Sequence, residues 1–405
     1  MTWGDTIETG KGYKIKKLSY ECLPGLHISA LLYEPDNLTG KVPAILNVNG
    51  HNAPGKSRDV EQIRCINLAK RGMLALHPEW LSFGDLETYE LRHNRGAYLD
   101  MCGISSLATF YLAMRGGLDV LLAHEHADPN RVAMTGLSGG GWQTIVLSSL
   151  DTRITACAPN AGYSSLEDRV RNRSDIGDLE QSPVDLLTIA DYTHLTAMLA
   201  PRPALLIYNK NDDCCFKAER AIPSVYDPIV PFYELYGKAN VFTYHINEDP
   251  GTHNYKKDNR QHFYKFLYEN FLPDQKVNLE ELQTEEEILS DEALSVPLPE
   301  NNATYISIAK EQFDRLPLYR FENLSGEKLE SAKAEARGRL RDVLRLPDWE
   351  TRTEAVIREE DEGMNYSVDN LILGEDWKLP VHVFSIVYPE KTAILIADGG
   401  IASAT

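Results

Sequence analysis

Residues 136–141 read GLSGGG, four glycines in six positions with one serine among them. The pentapeptide 136–140 fits G-x-S-x-G. That spacing suits a serine on a tight strand-to-helix turn at strained φ/ψ, where side chains two positions away on either side would collide. Such a turn lifts the hydroxyl above a sheet. It also lets the backbone N–H of the next residue, Gly139, face a developing oxyanion, with the following helix N-terminus adding favourable potential. A serine hydroxyl is inert without a base and a group to orient that base. Two later segments supply candidates. The apolar run PALLIYN (203–209) leads into KNDDCCF, giving Asp212 and Asp213, and VFTYHIN (241–247) leads into EDPGTHNY, giving His253. His245 competes with His253 but lies inside a strand pattern. Adjacent aspartates point in opposite directions, so residue chemistry alone leaves Asp212 and Asp213 open. A second oxyanion donor is expected in the loop after LNVNG (46–50), from the N–H of His51 or Asn52.

The elements that must position these groups alternate. Residues 13–23 and 26–35 predict two antiparallel strands joined at Pro24–Gly25. Strands are predicted at 41–50, 73–80, 131–136, 154–160, 203–209 and 241–247. Helices are predicted over 57–71, 139–150 and 256–271, and Leu99 to His124 reads as a long helical stretch bent or divided around Gly116–Gly117. Strands alternating with helices of this length imply an α/β fold, a doubly wound, mostly parallel sheet covered on both faces. Residues 1–272 account for one such domain. The stretch 280–300 holds eight acids and no lysine or arginine, which predicts an acidic linker over 273–306. Residues 307–405 read as helical, then strand-rich. Within them, 377–400 repeats the pattern of 26–51: a strand, a Tyr-Pro-Glu turn, a lysine and an apolar strand closing on glycine. The tail is therefore either an accessory antiparallel sheet or a truncated second unit of the same kind.

Composition narrows the partners. The 405 residues carry a formal charge of −19, which argues against nucleic acid or an anionic membrane surface. Six cysteines without metal-type spacing predict reduced thiols, and the adjacent Cys214–Cys215 pair makes a poor staple. The first 17 residues have no apolar stretch of signal-peptide type, so cytoplasmic is the default expectation. A secreted or periplasmic location stays open if a leader has been removed.

The blocks VPAILNVNGH, DPNRVAMTGLSGGG, LAPRPALLIYNKNDDCCF and GTHNY resemble the α/β-hydrolase superfamily, near its acetyl xylan esterase, carbohydrate-esterase and prolyl-oligopeptidase-related branch. The resemblance covers about 20–272. It implies a serine esterase with Ser138 as nucleophile, His253 as base and Asp213 as the acid, with Asp212 the alternative. Lys217 stands where relatives have proline, and Asn209 or Lys210 where they have glycine, so that register can slip by one. The resemblance also implies oxyanion donors at Gly139 and His51 or Asn52. It places substrate contacts near Glu79, Trp80, Phe83 and Asn160, and expects an ester substrate, no metal and no organic cofactor. A peptidase of the prolyl type and a non-catalytic scaffold are the alternatives. The second, tail unit is expected to be structural.

Overall fold

The computed structural model describes residues 1–275, 278–317, 320–361, 363–375, 377–386, 388 and 390–404. The chain forms two compact units, Met1–Leu316 and Pro317–Thr405.

The first unit is built on a nine-stranded sheet: β1 (Thr2–Glu8), β2 (Tyr13–Leu23), β3 (Leu26–Pro35), β4 (Val42–Val48), β5 (Leu74–Pro78), β6 (Ala127–Leu137), β7 (Ala156–Asn160), β8 (Ala204–Asn209) and β9 (Phe242–Asn247). Their spatial order is β1-β2-β3-β5-β4-β6-β7-β8-β9. Strands β5 to β9 run parallel with β4, while β1, β2 and β3 join antiparallel at one edge. The edge strand β1 is an addition to the expected set; its residues are nearly all exposed, so its sequence carries no apolar alternation to read. The central strands are buried on both faces, which is why ALLIYN and VPAILNV read as continuous apolar runs.

Helices Asp59–Lys70, Leu107–Leu122, Gly139–Leu150 and Lys257–Phe271 cover the sheet. The expected break at Gly116–Gly117 is absent; the helical stretch divides instead between Met101 and Leu107. The glycine pair serves close packing: a Cβ at Gly116 would lie 2.8 Å from Tyr20 Cε2, whose hydroxyl donates to the Ala113 carbonyl in the same helix.

The expected linker is corrected. Residues 278–313 lie along the first unit, and the boundary falls after Leu316 rather than Leu272. Gln62 exchanges two hydrogen bonds of 2.9 Å with the backbone of Leu289, and Glu281 holds Arg260 through both carboxylate oxygens. Asn302 bonds both backbone groups of His27, and Tyr305 is buried. Glu287 pairs with Lys70 and Asp291 accepts from Ser57. Glu281, Glu287 and Asp291 thus meet donors of the first unit, while Glu280, Glu285, Glu286, Glu292 and Glu300 face solvent.

The second unit contains the helix Gly326–Leu344 and an antiparallel three-stranded meander, β10 (Thr351–Asp361), β11 (Met364–Leu373) and β12 (Trp377–Ile386). Tyr366 on β11 stands opposite Phe384 on β12, their ring centroids 4.9 Å apart. The apolar strand expected over 391–400 does not form: residues 391–397 pair with no strand among the described residues, and Ile396 is 93% exposed. Pro389 of the Tyr-Pro-Glu turn lies outside the described residues.

Candidate functional site

Strand β6 ends at Leu137 and the helix begins at Gly139, so Ser138 occupies the turn between them with φ 60° and ψ −121°. The flanking glycines are steric necessities there. A Cβ at Gly136 would stand 2.5 Å from the Val48 carbonyl oxygen, and one at Gly140 would stand 2.6 Å from the same atom. Both numbers are well inside van der Waals contact, so the neighbouring strand β4 can press against the turn only because those side chains are missing. The Ser138 carbonyl accepts the first helical bond from Trp142 N–H at 2.9 Å. Gly139 is the first helical residue, and the N–H groups of a first turn have no intrahelical acceptor.

Strand β4 pairs directly with β6, Val48 opposite Gly136, and carries the 49–52 loop to the same rim. Gly50 faces the turn so closely that a Cβ on it would meet Leu137 O at 2.5 Å, Ser138 Cβ at 3.0 Å and Gly139 N at 3.2 Å. The loop is held by three amides: Gln143 Nε2 donates to Asn49 O, while the side chains of Asn49 and Asn52 donate to Gly50 O. His51 and Asn52 follow immediately, beside the N–H of Gly139.

On the opposite side, His253 Nδ1 lies 2.8 and 3.0 Å from the two carboxylate oxygens of Asp212. Here the expectation is corrected: Asp212, not Asp213, meets the imidazole. The β8 turn folds the Asp212 carboxylate inward, where it accepts from the N–H groups of Cys214 and Cys215 and from Asn209 Nδ2. Asp213 is exposed and accepts the backbone N–H of His253 at 2.8 Å. Burial pushes the Asp212 carboxyl up, but the hydrogen bond and charge of His253 and the donors around it outweigh burial and hold it below the usual range. Burial likewise pushes the imidazole of His253 down, and the bond and charge of Asp212, aided by Cys214 and Asp213, raise it above its ordinary value. With Nδ1 committed to the carboxylate, Nε2 is the ring atom left to take a proton. No hydrogen bond joins Ser138 Oγ to this ring among the described residues. Catalytic hydrogen bonds commonly shorten only when substrate is bound. The competitor His245 pairs with Asp258 at 2.7 Å and stacks on His262.

Asn160 ties the two sides together. Its carbonyl accepts the Ser138 N–H at 2.8 Å, and its Nδ2 donates to the carbonyl of Asn254, next to His253, at 3.2 Å. It is fully buried and holds the backbone of both loops, a correction to its expected place against substrate. Glu79 is corrected too. Its buried carboxylate pairs with the Lys56 ammonium at 3.0 Å and accepts the Lys56 N–H, so it braces the chain beneath the cleft. Trp80 is likewise in the core, its ring 4.6 Å from His51 and 6.3 Å from Trp142, directly under Gly139. Phe83, half-buried and edge-on to His51 at 5.7 Å, is the one of these four that retains an exposed part.

Sequence reasoning missed His93, Asp178 and Glu180. His51 Nε2 lies 3.0 Å from Glu180, 3.3 Å from Asp178 and 3.3 Å from His93 Nδ1. These residues come from three separate loops, so no local spacing announces them.

No protein-family model matches the chain, and no curated protein matches it. Solved structures do. Methylesterase BT1017 superposes with a TM-score of 0.62 at 21% identity, over 83% of this chain and 69% of that one. A protein from Bacteroides fragilis assigned as an acetyl xylan esterase gives 0.52 at 19% identity, over 61% of this chain and 69% of that one. A glucuronoyl esterase from Solibacter usitatus gives 0.51 at 16% identity, over 66% of this chain and 85% of that one. The chain has the α/β-hydrolase fold. In that fold, groups carried at the carboxyl ends of successive parallel strands converge at one rim, and Ser138, Asp212 and His253 all follow such strand ends. No helix among the described residues is long and apolar enough to cross a membrane.

Proposed function

We propose that the protein is a serine hydrolase that cleaves carboxylic esters, acting on a short acyl ester, acetyl first, of a carbohydrate. The single observation that carries this reading is the Asp212–His253 pair, whose loop is tied through Asn160 to a serine with φ 60° at the end of β6. Such a pair has a defined use in this fold: an imidazole oriented through Nδ1 can deprotonate a hydroxyl through Nε2.

In this mechanism His253 Nε2 takes the proton of Ser138 as its Oγ attacks the ester carbonyl. The N–H of Gly139 and that of His51 or Asn52 hold the oxyanion, each such donor being worth about 3 kcal/mol in the transition state. His253 then returns the proton to the departing alcohol, and water repeats the sequence on the acyl-enzyme. Asp212 keeps the ring in the tautomer this requires and stabilises the imidazolium. The carbohydrate part of the reading is supported by the solved neighbours, described as a methylesterase, an acetyl xylan esterase and a glucuronoyl esterase. Phe83 offers an aromatic face for a sugar ring.

The test pairs the protein with Ser138→Ala on p-nitrophenyl acetate, acetylated oligosaccharides, methyl-esterified oligosaccharides and an aminoacyl nitroanilide. Ester turnover should fall by about 10⁵- to 10⁶-fold in the variant, the scale seen when a triad serine is removed. Equal rates in the two proteins would end the proposal. Preference for methyl esters would move the substrate from acyl sugars to esterified sugar acids, and amide cleavage would move it to peptides.

A further inference from the structure

The side chains of His51, His93 and Glu180 have no part in the chemistry above, and their donor atoms converge as a ligand set with Asp178 at the edge. Glu180 is 1% exposed, and among the described residues its carboxylate oxygens are approached only by the imidazoles of His51 and His93. A buried carboxylate ordinarily fills its acceptor sites, as Asp212 does nearby. The imidazole nitrogens come to 3.0 and 3.2 Å from the two Glu180 oxygens. His51 Nε2 and His93 Nδ1 also share a hydrogen bond of 3.3 Å, whose proton a bound cation would displace.

The protonation pattern agrees. His93 Nε2 lies 2.8 Å from the Leu81 carbonyl oxygen, which can only accept, so the proton of the neutral ring sits there and Nδ1 presents a lone pair to the cluster. A backbone carbonyl on the far nitrogen is the usual support of a metal-bound histidine. His51 is fixed by edge-on packing against Phe83 and His93 and by contact with Trp80. The separations fit as well. Bonds of about 2.0–2.1 Å to a tetrahedral zinc ion imply ligand–ligand edges of about 3.3–3.4 Å. The edges here are 3.3 Å from His51 Nε2 to His93 Nδ1, 3.0 Å from His51 Nε2 to Glu180 Oε1 and 3.2 Å from His93 Nδ1 to Glu180 Oε2.

We propose that this cluster is a binding site for one divalent transition-metal ion of the zinc type, held by His51 Nε2, His93 Nδ1 and the carboxylate of Glu180. Imidazole with carboxylate selects zinc-like ions over magnesium or calcium, which prefer all-oxygen shells. Three protein ligands leave a fourth position for water or an incoming group, with the exposed Asp178 carboxylate 3.3 Å from His51 Nε2 at its edge. It clamps three loops, carrying residues 51, 93 and 178–180, at the rim next to Gly139, where a Cβ would lie 3.2 Å from His51 Cε1. This departs from the metal-free expectation drawn from the sequence.

Among the described residues two other groups of side chains could take a metal, and both are already engaged. Cys214 and Cys215 stand near His253, whose Nδ1 belongs to Asp212, and Asp258 between His245 and His262 already accepts from Asn247 Nδ2. They serve as controls.

The test is calorimetric titration of Zn²⁺ into the full chain after EDTA treatment and dialysis. One equivalent should bind, at unchanged affinity in Ser138→Ala, Cys214→Ser and His262→Ala, and at least about 100-fold more weakly in His93→Gln and Glu180→Gln. A visible spectrum of the Co²⁺ form of the unaltered protein guards against variants that fail to fold. Four-coordinate d–d bands without a thiolate charge-transfer band support the site. A thiolate band, affinity unchanged in both His93→Gln and Glu180→Gln, or no binding at all would each overturn it. Because the readout is metal binding, its failure is separate from any failure of the esterase reading.

Discussion

Two histidine–carboxylate clusters sit on the same rim of the sheet, and they differ in what surrounds the acid. Asp212 is saturated: two backbone N–H groups, one amide and one imidazole all donate to it. Glu180 is as deeply buried but among the described residues only two imidazole nitrogens approach it, at 3.0 and 3.2 Å, with no backbone N–H or amide beside them. A carboxylate with its own donors is a fixed negative charge that can orient one ring and hold it there. A carboxylate without such fixed donors is costly to bury unless a cation completes it. Residue types alone therefore do not separate an orienting acid from a ligand; the count of neighbouring donors does.

The largest effect expected from breaking this contrast is Asp212→Asn. The asparagine keeps the shape but removes the charge and can leave His253 in the wrong tautomer. Ester kcat should fall by about 10⁴-fold, the cost typical of neutralising the triad acid. Asp213→Asn should cost less than about tenfold, because Asp213 touches only the backbone N–H of His253, through a carboxylate oxygen that an amide carbonyl can replace. Steady-state kinetics of the two variants side by side decide the register. Equal losses would mean that donor saturation does not mark the working acid.

A smaller effect is expected at the junction between the clusters. Gly50→Ala would set a Cβ against Leu137 O, Ser138 Cβ and Gly139 N, all backbone or near-backbone atoms with little room to yield. The 49–52 loop should shift away from the turn, taking the second oxyanion donor with it. A loss of about 10²-fold in kcat with KM changed by less than threefold is the expected signature. A KM effect alone would show that the loop contacts substrate rather than the oxyanion.

How far the sequence revealed this site follows from whether the signal was local. Ser138 with Gly136 and Gly140 is a local steric problem, so five residues announce the turn that the structure contains. The parallel strands were legible because each is buried on both faces and reads as an apolar run. The choice between Asp212 and Asp213 was not, because it depends on which carboxylate the turn after β8 folds toward the N–H groups of Cys214 and Cys215. Glu79, Trp80 and Asn160 lie at strand ends on the correct rim, and sequence position could not tell that they face inward. The strap over 278–313 reads as a free linker because the partners of its anchoring acids, Lys70 and Arg260, lie far away in the chain. His93 and Glu180 meet His51 only through the path of three loops, a long-range fact with no short-range trace.

The finest test of the contrast is the acid limb of the pH profile. His253 must be neutral to take a proton, and Asp212 raises its pKa above the ordinary histidine value of 6.5 despite burial. Activity should therefore rise with pH through a midpoint above 6.5 and be lost as the ring protonates below it. In Asp212→Asn the main opposing charge is gone and burial acts nearly alone, so the midpoint of the residual activity should move down, toward or below 6.5. Asp213 is the last of the groups raising this ring, and Asp213→Asn should move the midpoint in the same direction by a smaller amount. The order of the three midpoints, unaltered protein highest, Asp213→Asn next and Asp212→Asn lowest, is what kcat/KM profiles must return. A larger shift from Asp213 than from Asp212 would assign the controlling charge to the exposed carboxylate and dissolve the distinction between a saturated acid and its neighbour.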